Sequence, residues 1–235
     1  MLELRDLVKH YRLGEDEPVR AVDGVAMSVA AGEMVALYGP SGSGKTTLLM
    51  LVAALLRPDS GQVLVGDCEV SALSEQEAAR YRLLELGFVR QTVNLIPGVS
   101  ALDNAALKLL GTDLSPREAH RRVSPLLEQL GLGERLRHRP EQLSMGERQR
   151  VMIARALSTE PKLVLADEPT GSLDSRRSRE VLELLTGICR ERGVAVVLVT
   201  HDPQAAGYAD RVRSLHDGRL SDEVPEPVLA SLDAP

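Results

Sequence analysis

The residues with the clearest chemical signature lie in one glycine-rich stretch, GPSGSGKT, at positions 39–46. Its spacing matches the pattern GxxxxGK[ST], in which glycines let the backbone wrap around an anion and turn successive N–H groups inward. The stretch follows the apolar run MVALY and precedes a segment with helical periodicity, which is the context that the pattern requires. It therefore predicts a loop that binds phosphate, assisted by the positive end of the following helix.

Two residues of this loop have specific expected roles. Lys45 is expected to reach the β- and γ-phosphates of a nucleotide, and the hydroxyl of Thr46 is expected to bind Mg²⁺. The alternative, a glycine turn that happens to precede a lysine, is disfavoured by the strand before it and the helix after it. The predicted nucleotide-binding residues here are Gly39, Pro40, Ser41, Gly42, Ser43, Gly44, Lys45, Thr46 and Thr47.

An acidic pair, Asp167 and Glu168, follows the apolar run at 163–166. Because open α/β sheets bind ligands at the carboxyl ends of their strands, Asp167 is expected to hold Mg²⁺. Glu168 is expected to polarise the attacking water as a general base. The alternative is a polar strand exit closed by Pro169. A phosphate loop earlier in the chain favours the catalytic interpretation.

The pattern of apolar residues predicts the elements that position these groups. Residues 2–8 and 19–29 alternate, as half-exposed strands do, while the runs at 34–38, 163–166 and 194–200 read as strands buried on both faces. A polar turn, Gly14 to Pro18, separates the first two strands. Helical spacing appears in four segments: Lys45 to Leu56, Pro116 to Leu130, Gly146 to Ser158 and Ser175 to Arg192. Strands that alternate with helices predict a doubly wound α/β fold.

Two regions depart from this alternation. Residues 92–150 show only broken helical patterns, which predicts a helical subdomain inserted into the sheet core. After Gly218 the chain is acidic and contains prolines, so residues 221–235 are expected to form a loosely held tail.

Composition excludes several classes of protein. The net charge of −6 in 235 residues disfavours a protein whose affinity comes from neutralising nucleic-acid phosphates. The two cysteines, Cys68 and Cys189, indicate neither a disulfide framework nor a zinc site. The longest apolar run, residues 48–56, is too short to cross a bilayer, and no secretory signal is visible. We therefore expect a cytoplasmic protein.

Beyond these motifs, the chain resembles the ATP-binding cassette (ABC) family over residues 1–220. The further matching elements are Tyr11 as the adenine-stacking aromatic, Gln91 in FVRQ, LSMGE at 143–147, SLD at 172–174 and His201 in LVTHD. The resemblance implies the P-loop NTPase fold: a RecA-like sheet core with an N-terminal antiparallel β part and an inserted α-helical signature subdomain. It implies ATP and Mg²⁺ as ligands and ATP hydrolysis as the activity.

The resemblance also implies roles for single residues. Gln91 would bind Mg²⁺ and couple the site to a partner, and His201 would contact the γ-phosphate. For His201 the alternative is an ordinary capping or hydrogen-bonding residue at a strand end. For Gln91 the alternative is ordinary surface chemistry in a loop. Tyr11 would stack on adenine in a chain with only four Tyr and one Phe.

The LSMGE segment allows two compatible interpretations. Ser144 and Glu147 form an S-x-x-E capping box that starts a helix. The resemblance implies, in addition, that this helix end faces the γ-phosphate bound to a second copy of the chain in a head-to-tail dimer with two ATP molecules. Ser144, Gly146 and Asp174 would then contact nucleotide across the dimer interface.

Met145 stands where the family has glycine, and Glu147 where it usually has glutamine. A methionine side chain directed outward would leave the backbone N–H groups available, whereas one directed inward would crowd the nucleotide. Because the other catalytic positions match the family, we expect hydrolysis to survive.

The stretch FVRQTVNLIPGVSALDNAAL resembles the lipoprotein-releasing, macrolide-exporting and cell-division ATPases, the MacB/LolD/FtsE group. This resemblance implies an integral membrane permease that contacts residues 92–110 and holds the chain on the inner face of the membrane. Three alternatives remain: an FtsE-like ATPase that transmits a mechanical signal without transport, an ABC ATPase that acts on nucleic acid or the ribosome, and a nucleotide-binding regulator with low turnover. The acidity and the single cassette argue against the second.

Overall fold

The structure, a computed structural model, describes residues 1–12, 19–223 and 226–232. Its strands are β1 (Leu2–Tyr11), β2 (Val19–Val29), β3 (Met34–Tyr38), β4 (Ser60–Val65), β5 (Cys68–Glu69), β6 (Leu86–Val89), β7 (Leu163–Asp167), β8 (Ala195–Thr200), β9 (Arg211–His216) and β10 (Arg219–Ser221). Its helices are α1 (Lys45–Val52), α2 (Glu75–Leu84), α3 (Ala101–Ala106), α4 (Pro116–Gln129), α5 (Met145–Leu157), α6 (Ser175–Arg192), α7 (Pro203–Ala206) and α8 (Glu226–Leu232). Short 3₁₀ turns occur at Val70–Ala72, Leu109–Gly111, Gly133–Arg135 and Pro140–Gln142.

Two sheets organise the chain. One is antiparallel with strand order β2-β1-β4-β5. The other has the order β10-β9-β3-β8-β7-β6, in which β3, β6, β7, β8 and β9 run parallel and only β10 is antiparallel. The fully buried strand β8 has no polar face, as expected for a central parallel strand covered on both sides.

Side chains alternate between two hydrophobic cores across the parallel sheet. Val35, Leu165 and Val197 face the core that also holds the antiparallel sheet and α1, whereas Val164 and Leu198 face the helical side. Helix α1 thus lies between the two sheets. Its first residue, Lys45, is fixed at the carboxyl end of β3 by this packing.

Residues 92–150 contain helices and turns but no strand, in agreement with the expected helical subdomain. A fully buried amide, Asn104, organises its first loop. It accepts from Ile96 N (2.7 Å) and donates to the carbonyls of Ile96 (3.2 Å) and Val99 (3.1 Å). These bonds satisfy the loop backbone and hold it in one shape.

The sequence predicted several elements closely and missed others. The strand at 19–29 and the helix at 175–192 have the predicted bounds, while the helix predicted to reach Leu56 ends at Val52. Strands β4, β5, β6, β9 and β10 and helix α2 were not predicted. The turn expected from Gly14 to Pro18 lies outside the described residues.

The loosely held tail expected after Gly218 is wrong for part of that segment. Strand β10 extends to Ser221, and residues 226–232 form α8, whose Val228 is fully buried against Ala36 and Ala206. The buried Val228 thus anchors a segment whose composition is largely polar. Across the described residues, no helix is long and apolar enough to cross a membrane.

Candidate nucleotide site

The glycine-rich loop lies between β3 and α1, and close backbone packing requires glycine at positions 39 and 44. Gly44 has φ 103°, and a Cβ there would lie 1.9 Å from the carbonyl oxygen of Ala21. A Cβ on Gly39 would lie 2.2 Å from the carbonyl oxygen of Leu215. The loop is therefore wedged between β2 and β9, so neighbouring strands fix its shape in addition to its own sequence.

Lys45 is buried, and its ammonium group turns back on the loop. Its Nζ donates to the carbonyls of Gly39 (2.6 Å) and Pro40 (2.7 Å). Burial lowers the pKa of Lys45, although the carboxylates of Glu168 and Asp167 oppose the shift. A desolvated cation in a ring of backbone dipoles favours an anionic ligand.

A cleft of about 690 Å³ opens above this loop. It brings together most of the predicted residues from separate elements, and these are Tyr11, Ser41, Gly42, Gly44, Lys45, Thr46, Thr47, Gln91, Asp167, Glu168 and His201. The remaining loop residues, Gly39, Pro40 and Ser43, do not line it. Lys9 Nζ lies 5.9 Å from the centre of the Tyr11 ring, a cation–π contact that supports the ring at the rim.

Glu168 is held by both its backbone and its side chain. Its backbone is left-handed at φ 47°, a conformation that costs about 1–3 kcal/mol and is held by a bond from its N–H to Val199 O (2.9 Å). One carboxylate oxygen lies 2.6 Å from His201 Nδ1, and the other accepts from the Thr200 hydroxyl (3.3 Å). The side chain is only 14% exposed, whereas that of His201 is 63% exposed.

The direct pairing of Glu168 with His201 was not predicted from the sequence. Both residues were expected near the γ-phosphate, but nothing in LVTHD indicates that the histidine contacts the acid before it contacts a ligand. The strand register brings the two segments together, because β7 and β8 are parallel neighbours in which Asp167 lies opposite Val199. The next residues along each strand, Glu168 and Thr200, therefore meet at the same sheet edge.

Asp167 and Gln91 flank the acidic end of the cleft. Burial raises the pKa of Asp167, and the neighbouring Glu168 carboxylate raises it further. The Gln91 side chain packs on Gly171, where an added Cβ would lie 2.9 Å from Nε2. Two crowded, partly desolvated carboxylates favour a cation beside them.

The oxygen ligands present in the cleft suit a Mg²⁺ ion that is also bound by water and phosphate, rather than a metal held by protein side chains alone. In the part of the chain that the structure describes, no three His, Cys, Asp or Glu residues are grouped to hold a metal. Mg²⁺ commonly uses one or two carboxylates together with water and substrate phosphates. Asp167, Gln91 and the exposed hydroxyl of Thr46 match that requirement.

The signature residues are not brought to this cleft. Of the described residues that line it, none comes from 143–147 and none is Asp174. Ser144 caps α5, and its capping box with Glu147 is formed: Glu147 accepts from Ser144 N (2.8 Å). Met145 is 39% exposed and lines a separate cleft beside Gln91 and Pro97.

The β9–β10 hairpin forms part of the nucleotide cleft, and this contribution was not predicted from the sequence. Asp217 lines the nucleotide cleft, and Gly218 bonds to both neighbours: its N–H donates to Ser43 O (3.1 Å), and its carbonyl accepts from Asp23 N (2.8 Å). Arg219 donates twice to Asp23, at 2.9 and 3.0 Å. The Asp-Gly pair signals a turn, but only the fold shows that this turn supports the phosphate loop.

Comparison with known proteins agrees with this geometry. The chain is 50% identical over 221 residues to the lipoprotein-releasing system ATP-binding protein LolD 2 of Caulobacter vibrioides, covering 94% of this chain and 96% of that protein. It is 44% identical over 223 residues to the macrolide export ATP-binding/permease protein MacB of Marinobacter nauticus, of which it spans 34%.

Solved structures agree as well. A dimeric ATP-binding cassette in a post-hydrolysis state, bound to ADP and Pi, superposes with a TM-score of 0.84 at 37% identity, covering 94% of this chain and 97% of that one. The parallel core, the antiparallel β part and the inserted helices are the architecture expected from the sequence. A sequence profile of the family described as ABC transporter matches residues 22–171. This chain belongs to the ABC transporter family.

Proposed function

We propose that this chain binds ATP with Mg²⁺ in the 690 Å³ cleft, hydrolyses it, and uses the energy to drive a separate membrane permease. The observation that carries the proposal is the pair of Glu168 and His201, 2.6 Å apart, in the cleft that Lys45 also lines. A carboxylate held by hydrogen bonds at the edge of a phosphate loop has the chemistry of a general base.

Each residue has a defined task in this proposal. Glu168 polarises the attacking water, and the bonds from His201 and Thr200 fix the carboxylate orientation. Lys45 exchanges its loop carbonyls for phosphate oxygens. Tyr11 stacks on the adenine.

The residues that would hold Mg²⁺ are Thr46, Gln91 and Asp167. When bound, the ion neutralises charge that develops on the phosphates. The partly buried Asp167 carboxylate supports this proposal, since an adjacent cation offsets the desolvation that raises its pKa.

We propose that two copies assemble head to tail, each closing the other's site. Ser144, Gly146 and Asp174 do not line the cleft of their own chain, so they contribute to nucleotide binding only if a second copy supplies them. The similar cassette bound to ADP and Pi was solved as a dimer.

We propose that the permease contacts residues 92–110 and holds the chain at the cytoplasmic face of the membrane. Apolar side chains are exposed here, with Ile96 at 41%, Leu107 at 39% and Leu110 at 40%. Asn104 holds the loop beneath Ile96 rigid, as a docking surface requires. The relatives are named for lipoprotein release and macrolide export, which favours an export or extraction role. The identity of the permease determines whether ATP hydrolysis moves a substrate or transmits a mechanical signal.

The substitution Glu168→Gln tests the proposal. We expect ATP hydrolysis to fall by roughly 10²–10⁴-fold, because the base is lost while the binding contacts remain. In gel filtration with saturating ATP the variant should elute as a dimer. Glu128→Gln, which changes an exposed carboxylate on α4, is the matched control and should behave as the parent.

Two results would contradict it. Equal phosphate release from the parent and Glu168→Gln would favour a nucleotide-binding regulator with low turnover. A Glu168→Gln variant that stays monomeric at saturating ATP would count against the head-to-tail dimer.

A further inference from the structure

Helix α8, near the C-terminus, packs against α7, the short helix that follows β8 and His201. Val228 is fully buried and contacts Ala36 and Ala206, while its neighbour Leu229 is 47% exposed. Ala36 lies in β3, the strand that leads into the phosphate loop, and Ala206 ends α7. Val228 therefore packs α8 onto the end of α7, beside the strand that leads into the phosphate loop.

Helix α7 begins two residues after His201, and its N-terminus is tied to the catalytic pair. Asp202 caps α7 by accepting from Gln204 N (2.9 Å), and Asp202 N donates to the Thr200 hydroxyl (3.0 Å). The same hydroxyl donates to Glu168 Oε2 at 3.3 Å. A continuous set of contacts thus runs from Val228 through α7 to the carboxylate.

The Glu168 carboxylate can move only slightly without losing its proposed catalytic orientation. Glu168 already has a left-handed backbone, and its two oxygens are aimed by one bond each from Thr200 and His201. A shift of α7 moves Asp202, and with it the hydroxyl that orients Glu168. Displacements of about 1 Å in a catalytic group lower rates by as much as about 10²-fold.

We propose that Val228 is a positioning residue for hydrolysis: by packing α8 against α7 and β3, it sets the orientation of the Glu168–His201 pair. The assignment rests on the proposed ATPase function. It predicts that loosening this contact slows turnover while leaving ATP affinity unchanged, because Lys45 is held by the carbonyls of its own loop and Tyr11 lies in β1, whereas Glu168 is linked to α7 through Thr200 and Asp202.

The test compares Val228→Ala with Leu229→Ala, which removes a similar side chain from the exposed face of the same helix. We expect Val228→Ala to lower kcat about tenfold with KM for ATP within about twofold of the parent. Leu229→Ala should leave both constants within about twofold, and Val228→Ile, which keeps an apolar β-branched contact, should lower kcat less than Val228→Ala does.

Thermal denaturation and binding of a fluorescent ATP analogue separate positioning from folding. The assignment is overturned if Val228→Ala and Leu229→Ala have the same kcat, or if kcat falls only in proportion to the folded fraction. A rise in KM with unchanged kcat would also overturn it. A parent chain that releases no phosphate would instead refute the proposed function itself, and Val228 would lose its role with it.

Discussion

Two helices of this chain begin at the positions where the sequence predicts phosphate, but their first turns are built in opposite ways. Helix α1 follows Gly44, a left-handed residue that provides no side-chain cap, and has no acidic residue in its first turn. Helix α5 is closed by Ser144 and carries Glu147 in its first turn. The first N-terminus is left open to a ligand, and the second is partly satisfied by its own side chains.

This difference indicates what each helix contributes. The open end of α1, together with Lys45, forms a complete anion site within one chain. At α5 the capping box engages the N–H groups of Ser144 and Glu147 and leaves those of Met145 and Gly146 outside it. Such an end stabilises a phosphate already held elsewhere, in keeping with a site shared between two copies.

The largest effect is expected from closing the open end of α1. Gly44→Ala would set a Cβ against Ala21 O and force a left-handed backbone, so we expect a loss of roughly 2–5 kcal/mol in unfolding free energy and loss of nucleotide binding. Gly42→Ala is the matched control: Gly42 is also left-handed, but nothing lies within 4 Å of its Cβ position. Denaturant titration should show the control closer to the parent; equal losses would mean that backbone strain alone decides.

A smaller effect is expected from changing the charge at α5. Burial raises the pKa of Glu147, but bonds from Ser144 and Arg135 outweigh it, so the net shift is downward. A depressed pKa stabilises the fold above the unfolded value, and this contribution is lost as pH falls from 4.5 through the folded pKa. We expect Glu147→Gln to remove about 0.5–1 kcal/mol of this acid-dependent stability while retaining the capping box.

Unfolding free energies of the parent and Glu147→Gln, measured from pH 7 down to pH 3, provide the check. The two curves should converge as pH falls. Parallel curves would show that the charge of Glu147 does not contribute to the cap.

The smallest effect is expected at Met145. Its side chain lies beside Gln91 and Pro97 of its own chain, so we expect it to stay out of the shared site, and Met145→Gly should change the ATPase rate by less than about twofold. Glycine has a lower helix propensity than alanine, so Met145→Ala separates helix propensity from crowding. A barely active parent rescued by glycine would show instead that the methionine obstructs the shared site.

Local residue patterns predicted the phosphate loop at the start of α1 well, because all the residues that define the loop are neighbours in the sequence. GPSGSGKT lies in eight consecutive positions, and the strand and helix beside it have clear periodicities. The same holds for Ser144 and Glu147, three residues apart. At the C-terminus the composition gave a wrong prediction, since an acidic, proline-containing stretch forms α8, whose Val228 is buried.

The amino-acid sequence by itself determined the chemistry available: a phosphate loop, an acidic pair after a buried strand, and a capped signature helix. Only the tertiary structure decided which groups meet. The register of β7 against β8 places Glu168 beside Thr200, within reach of the following His201, and the hairpin at Gly218 supports Ser43 from 175 positions along the chain. Such contacts depend on strand order and side-chain packing between distant segments, which no local pattern of residues encodes.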